Sequence, residues 1–269
     1  MLRIFVERKV RREIVRRNFI ISGLAFVGIL ALWYVDALSG LAHPFRMLIN
    51  NIHGGLSAFA MQLTGGAVDS FTLSDAGAYR ITFNGGMDAL TMSAGYLGSA
   101  ALGSLMFFLV NRAPHLVRLI SAITGVFTIG FLALFIRPAE TGDLISTVIC
   151  LGFGALLIVL GWTGRGDINR LRSRKSVTQI VLTVVSLMVG LHIVLDLPQV
   201  LSTQASVEAD GVKTITNPVA YFAENVIPAL SVQAVAFSWA AIAIALMGIA
   251  FHFSIVRRLR QIPKNDDIA

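Results

Sequence analysis

The chain is poor in charge. Lys, Arg, Asp and Glu make up only 14% of its 269 residues while 55% are hydrophobic, against about 25% charged in soluble domains. With a mean hydropathy of +0.75, that balance excludes a soluble globular protein. There is a single cysteine, Cys150, so no disulfide can form within the chain and the redox compartment stays open. Lying in an apolar run, it reads as an inert buried thiol. The N-terminal apolar run lacks a small-residue cleavage site and is too long for a cleaved leader, so with seven basic residues ahead of it the segment reads as a signal anchor. Acidic residues are also few, 15 against 22 basic, for a net charge of +7. The basic residues stand at the borders of apolar runs: Arg3 to Arg17 before the first, Arg165 to Lys175 in one loop, Arg257 to Lys264 after the last. This is the positive-inside pattern, with attraction to membrane lipids as a second effect, and it argues against nucleic acid as a partner.

The long runs that are present define the fold class. About 20 apolar helical residues cross the roughly 30 Å hydrocarbon core. Phe19 to Ala37, Leu90 to Val110, Leu116 to Ile136, Leu144 to Trp162, Thr178 to Leu197 and Leu230 to Ile255 each meet that length. Arg46 to Leu63 is a weaker seventh, containing Asn50, Asn51, His53 and Gln62. If the N-terminus and the loop 165–175 are both cytoplasmic, an even number of crossings separates them, so this weakest segment is expected to be shallow or re-entrant, covered by protein. The expectation is an all-α integral membrane protein with six full transmembrane helices, one shallow helix and a short β-hairpin-like segment. Residues 1–17 form a basic amphipathic segment on the cytoplasmic face, 18–255 a single transmembrane domain, and 256–269 a cytoplasmic tail. The Ala-His-Pro-Phe run at 42–45 is expected to close the first span, because proline disfavours helix in the residue before it.

Two stretches carry the chemistry. Ile52 to Gly66 reads IHGGLSAFAMQLTGG, a weakly apolar helix with His53 near its start and a Gly65-Gly66 turn. Val68, Phe71, Leu73, Tyr79, Ile81 and Phe83 then flank Asp75-Ala76-Gly77, a hairpin signal. The hairpin needs a partner to cover its edges. Ser93 to Ser99 reads SAGYLGS and opens a span whose Ala94, Gly95, Gly98, Ser99, Ala101 and Gly103 make a small-residue face. Such a face serves close helix packing in lipid or the lining of a site. Farther on, His192 and Asp196 lie one helical turn apart, and ionisable residues inside a span suggest function. They read either as structural or interfacial groups or as part of a metal or proton site.

In these motifs the chain resembles the site-2 protease-like membrane zinc metallopeptidases, in their small bacterial branch. There a helix reads H-E-x-x-H-A and ends in T-G-G, a strand segment follows, and a span opens near A-G-Y-L-G-S. The match runs through His53, Ala58, Thr64-Gly65-Gly66 and Ala94 to Ser99, with Asn217 to Pro228 looking like the late S-D-A-x-x-L-A segment. The similarity covers roughly Ile52 to Phe251. Residue by residue, His53 matches the first zinc histidine, Gly54 replaces the glutamate that serves as base, Ser57 replaces the second histidine, and Pro218 stands where the family has its aspartate. The resemblance therefore implies the fold, with Gly65, Gly66, Gly95, Tyr96, Gly98 and Ser99 as groove or packing positions, but a degenerate metal site and no confident catalytic residue. The leading expectation is a pseudoprotease without cofactor in the inner (plasma) membrane, both termini cytoplasmic, that binds or regulates a membrane-protein partner through a transmembrane helix. One alternative is an active peptidase with zinc on a rearranged set of His53, His192 and Asp196, a base coming from Asp69, Asp75 or Asp88. Another leaves His53 as a polar group hydrogen-bonded within the fold. A transporter or channel is the third class, for which the sequence lacks an inverted repeat.

Overall fold

In a computed structural model of the chain, described here for residues 2–73, 79–137, 141–163, 177–202, 206–209 and 212–260, helix predominates. The apolar runs become α1 (Leu2–Tyr34), α3 (Asp88–Arg112), α4 (Val117–Phe135), α5 (Thr141–Thr163), α6 (Val177–Gly190) and α10 (Val232–Phe251). Among the described residues five helical stretches are long and apolar enough to cross a membrane, namely Glu13–Tyr34, Asp88–Arg112, Pro114–Phe135, Thr141–Thr163 and Val232–Arg260, and Val177–Gly190 is a shorter apolar helix. The basic segment before residue 18 is not a separate helix but the first half of α1. The loop 165–175 and most of the C-terminal tail lie outside the described residues.

Helix α2 (Ser39–Leu63) starts earlier than expected. The run 42–45 is not a turn: α1 ends at Tyr34, and the chain reverses through Val35 and a short 3₁₀ turn at Asp36–Leu38. Pro44 is tolerated inside α2 because it is the sixth residue, where its missing N–H forfeits only the bond to the carbonyl of Gly40. From Met47 to Gly55 every residue of α2 is buried, which supplies the protein cover that its polar side chains require.

The fifth expected span, Thr178 to Leu197, is interrupted. Helix α6 stops at Gly190, and two short helices follow, α7 (His192–Leu195) and α8 (Leu197–Ser202). At this point α6 crosses α3 backbone to backbone. A Cβ on Gly103 would fall 2.7 Å from the carbonyl oxygen of Ser186 and would overlap the backbone of Gly190, so the two helices touch main chain to main chain, as small residues permit in lipid. Helix α3 is thereby the central element, packed against α2, α6 and α10.

The hairpin forms as β1 (Ala67–Leu73) and β2 (Tyr79–Asn84), antiparallel, with Phe71 opposite Ile81. Its turn at Asp75-Ala76-Gly77 is outside the described residues. Phe71, Leu73, Tyr79, Ile81 and Phe83 are all buried, which is the alternation of a strand with one face on the core. The edges are covered from within the chain. Strand β2 pairs with β4 (Val212–Ile215), β4 pairs with β3 (Ser206–Ala209), and Phe71 of β1 makes a parallel bridge to Ile136. The four-stranded order is β1-β2-β4-β3. The sequence signal for this second pair is the Asp-Gly dipeptide at 210–211 between SVEA and VKTI, a combination that favours hairpins. Helix α9 (Pro218–Asn225) then leads to α10, its first turn held by Asn217, whose side chain accepts from the N–H groups of Val219 and Ala220.

Candidate functional site

Four elements meet at His53. It lies in the buried stretch of α2 and is fully enclosed. Its Nε2 shares a 2.6 Å hydrogen bond with the hydroxyl of Tyr79 from β2. Burial pushes the Tyr79 phenol above its ordinary value, with the charge of Asp196 adding to the effect, so the hydroxyl keeps its proton. On the other side the imidazole packs edge-on to Tyr96 of α3, with ring centroids 4.2 Å apart, and to His192 of α7, 5.0 Å apart at 83°. His192 Nε2 stands 3.4 Å from Asp196 Oδ2, and the Tyr96 hydroxyl is also 3.4 Å from that oxygen. The result is a cluster in which Tyr79 hydrogen-bonds His53, the His53 ring packs on His192, and His192 stands beside Asp196. His192 opens α7, directly after the interruption that follows Gly190.

The neighbours of His53 decide what the cluster can do. Gly54 packs directly under Phe71: a Cβ there would fall 2.9 Å from Cζ of that ring and closer still to Cε2. Phe71 is itself fully buried, so the ring occupies the room a side chain at position 54 would need. Gly95 presses its backbone on the same histidine, since a Cβ would sit 2.5 Å from His53 Nε2 and 2.6 Å from Ser57 Oγ. Ser57 Oγ, His53 Nδ1 and Ser99 Oγ are buried without a hydrogen-bond partner. Tyr96 is nearly fully buried, whereas Gly98 has ordinary clearance, 3.5 Å to Leu56 Cδ1. Thr64, at the end of α2, donates to the carbonyl of Met61 and accepts from the N–H of Met87, so the Thr64-Gly65-Gly66 turn, with Gly65 at φ +83°, anchors the start of α3.

Pro218, first residue of α9, reaches the same place. It lines a cavity of about 30 Å³ together with Tyr79, Tyr96, Asp196, Asn50 and Asn217, a volume on the scale of a water molecule. Of the other carboxylates considered, Asp69 is exposed on β1 and Asp88 accepts from the Tyr221 hydroxyl at 2.9 Å; Asp75 lies outside the described residues. His53, His192 and Asp196 are brought into one neighbourhood, His53 against the His192 ring and His192 3.4 Å from Asp196. Among the described residues no group of three or more His, Cys, Asp or Glu side chains gathers as a metal ion would need. As placed, these donors do not fit a zinc centre, which takes three protein ligands and an open position. Sequence reading treated Tyr79 only as a strand residue, and Arg46 and Asn50 only as polar members of the weak span, whereas each lines a cavity at this site.

Comparison with known proteins agrees with this architecture. The model of one family, described as Peptidase M50B-like, matches residues 23–250. No curated protein and no solved structure matches the chain. Since the match runs from the second half of α1 to the end of α10 and takes in the motif helix and the α3 motif, the chain belongs to the Peptidase M50B-like family of site-2 protease-type membrane proteins.

Proposed function

We propose that this protein uses the family's membrane fold without its hydrolytic chemistry, and binds or regulates a membrane-protein partner. The observation that carries this reading is the Phe71 ring packed over Gly54. Loss of a glutamate alone would leave a gap; here the core has closed over the place of the base. A general base is worth roughly 10²- to 10⁴-fold in rate, and the group that hydrogen-bonds His53 Nε2 is a tyrosine hydroxyl, that of Tyr79, rather than a carboxylate. What remains is a scaffold shaped around helices and a small sheet, suited to holding a partner's transmembrane helix. Basic residues at the first and last spans and in the loop 165–175 favour an inner-membrane protein with both termini in the cytoplasm.

A second reading rests on the contact between His53 and His192: small rotations of these rings with Asp196 would gather a rearranged zinc site, and the protein would then be a peptidase. Affinity capture of the full chain in mild detergent separates the two. The expected result is recovery of a membrane protein that stays intact on prolonged incubation. Recovery of nothing above background contradicts partner binding, and a captured protein that is cut favours the second reading.

A further inference from the structure

Beside the buried histidines a larger cavity opens at the end of α1. It holds about 170 Å³ and is lined by Trp33, Tyr34, Arg46, Asn50, Asp196 and Gln199, among others. It shares Asn50, Asp196 and Gln199 with the small cavity next to Pro218, but its character is different, because a guanidinium, that of Arg46, and a carboxylate, that of Asp196, both line it. Arg46 comes from α2. Its guanidinium lies over the Trp33 ring, 4.8 Å from the centroid, and donates to the Trp33 carbonyl at 3.2 Å, while its buried Nε has no hydrogen-bond partner. Asp196 comes from the turn between α7 and α8. Arg46 is near enough to act on it electrostatically, yet the group Asp196 meets within 4.0 Å as an ion-pair partner is His192. The two charges line one cavity, which costs free energy unless something between them is complementary to both.

The depth of the cavity identifies the class of ligand. Trp33 and Tyr34 are the last two residues of the first span, and these are the side chains that mark the boundary where lipid headgroups sit. Tyr34 is half exposed, and its hydroxyl donates to the carbonyls of Val194 and Leu195, fixing the wall of the cavity to α7. We propose that this cavity binds the headgroup of a zwitterionic phospholipid with a primary ammonium, its phosphate against Arg46 and its ammonium against Asp196. Arg suits the phosphate because its guanidinium offers several N–H donors in one plane. The carboxylate suits a primary ammonium because that group donates hydrogen bonds, whereas a trimethylated ammonium has none to donate. Asn50 and Gln199 stand where they can contact the ester oxygens. The inference rests on the reading in which Asp196 is not a metal ligand.

Native mass spectrometry of the full chain in detergent, titrated with lipids of one acyl composition, tests it. A phosphoethanolamine lipid is expected to bind about tenfold tighter than its phosphocholine or phosphoglycerol counterparts, the effect of one charge-assisted hydrogen bond or ion contact. Asp196→Asn should erase the preference over phosphocholine, and Arg46→Gln should weaken all three by about tenfold. Soluble phosphoethanolamine at the same concentration should displace little of the bound lipid. Equal binding of the three lipids by the unsubstituted chain overturns the proposal, as does a preference that survives Asp196→Asn. Full displacement by soluble phosphoethanolamine would overturn the lipid as the source of the headgroup. The headgroup series on the unsubstituted chain decides the matter even where a variant fails to fold.

Discussion

Rewriting helix α2 as H-E-x-x-H by the double substitution Gly54→Glu and Ser57→His is expected to unfold the protein rather than create a peptidase. The glutamate would have to enter a space filled by the Phe71 ring, and its first side-chain carbon already lies 2.9 Å from Cζ of that ring. Overpacking of this kind costs about 1–3 kcal/mol. The carboxylate would then be buried beside Phe71, Phe131 and Tyr79, where an unpaired charge costs several kcal/mol more. A histidine at 57 would meet the α3 backbone at Gly95, against which the smaller serine already rests. Together these exceed about 3 kcal/mol, a large part of the stability of an ordinary domain. The measurement is the melting temperature in detergent, with Gly54→Ala as a milder member of the series and Phe71→Ala added to relieve it. A double variant that melts like the parent would mean that the core over the motif yields easily, and the closed-core reading would fall.

The second large effect is expected at the crossing of α3 and α6. Gly103→Ala places a methyl group against the backbone of Gly190 and 2.7 Å from the Ser186 carbonyl oxygen. Main chain cannot rotate aside as a side-chain tip can, so the helices must separate, at about 3 kcal/mol or a fall in melting temperature of roughly 6–12 °C. Because the same crossing lies just ahead of His192, the substitution should also loosen the cluster of His53, His192 and Asp196. Gly98→Ala is the control on the same helix: its nearest neighbour is 3.5 Å away, and a change within about 0.5 kcal/mol is expected. Equal losses at 98 and 103 would refute the backbone crossing.

These two sites show how far residues alone can be read. The membrane class, the apolar helices and the hairpin were legible because each rests on local composition or a short period: a long uncharged run, or Phe71 and Leu73 alternating toward a core. The small-residue face of α3 was legible as a set, but not which member touches backbone, since Gly98 and Gly103 differ only in what another helix brings against them. The break after Gly190 was hidden for the same reason, as nothing in an apolar run announces that a partner's glycine will meet it. Strands β3 and β4 did leave a signal in Asp210-Gly211, masked by the length of the loop around it. At the site, the family resemblance pointed to His53 and to the replacements at 54, 57 and 218. It could not supply the Phe71 ring over Gly54, the Tyr79 hydroxyl on His53, or the approach of His192, which are contacts between segments far apart in the chain.

The central claim is that the motif helix no longer holds a metal for catalysis. Zinc content of the detergent-purified full chain, measured beside a His53→Ala variant, tests it most directly. The closed core and the Tyr79 hydrogen bond predict well under one zinc per chain in both proteins. About one zinc per chain in the parent, lost on His53→Ala, would contradict the claim and make His53, His192 and Asp196 the ligands of a rearranged peptidase site.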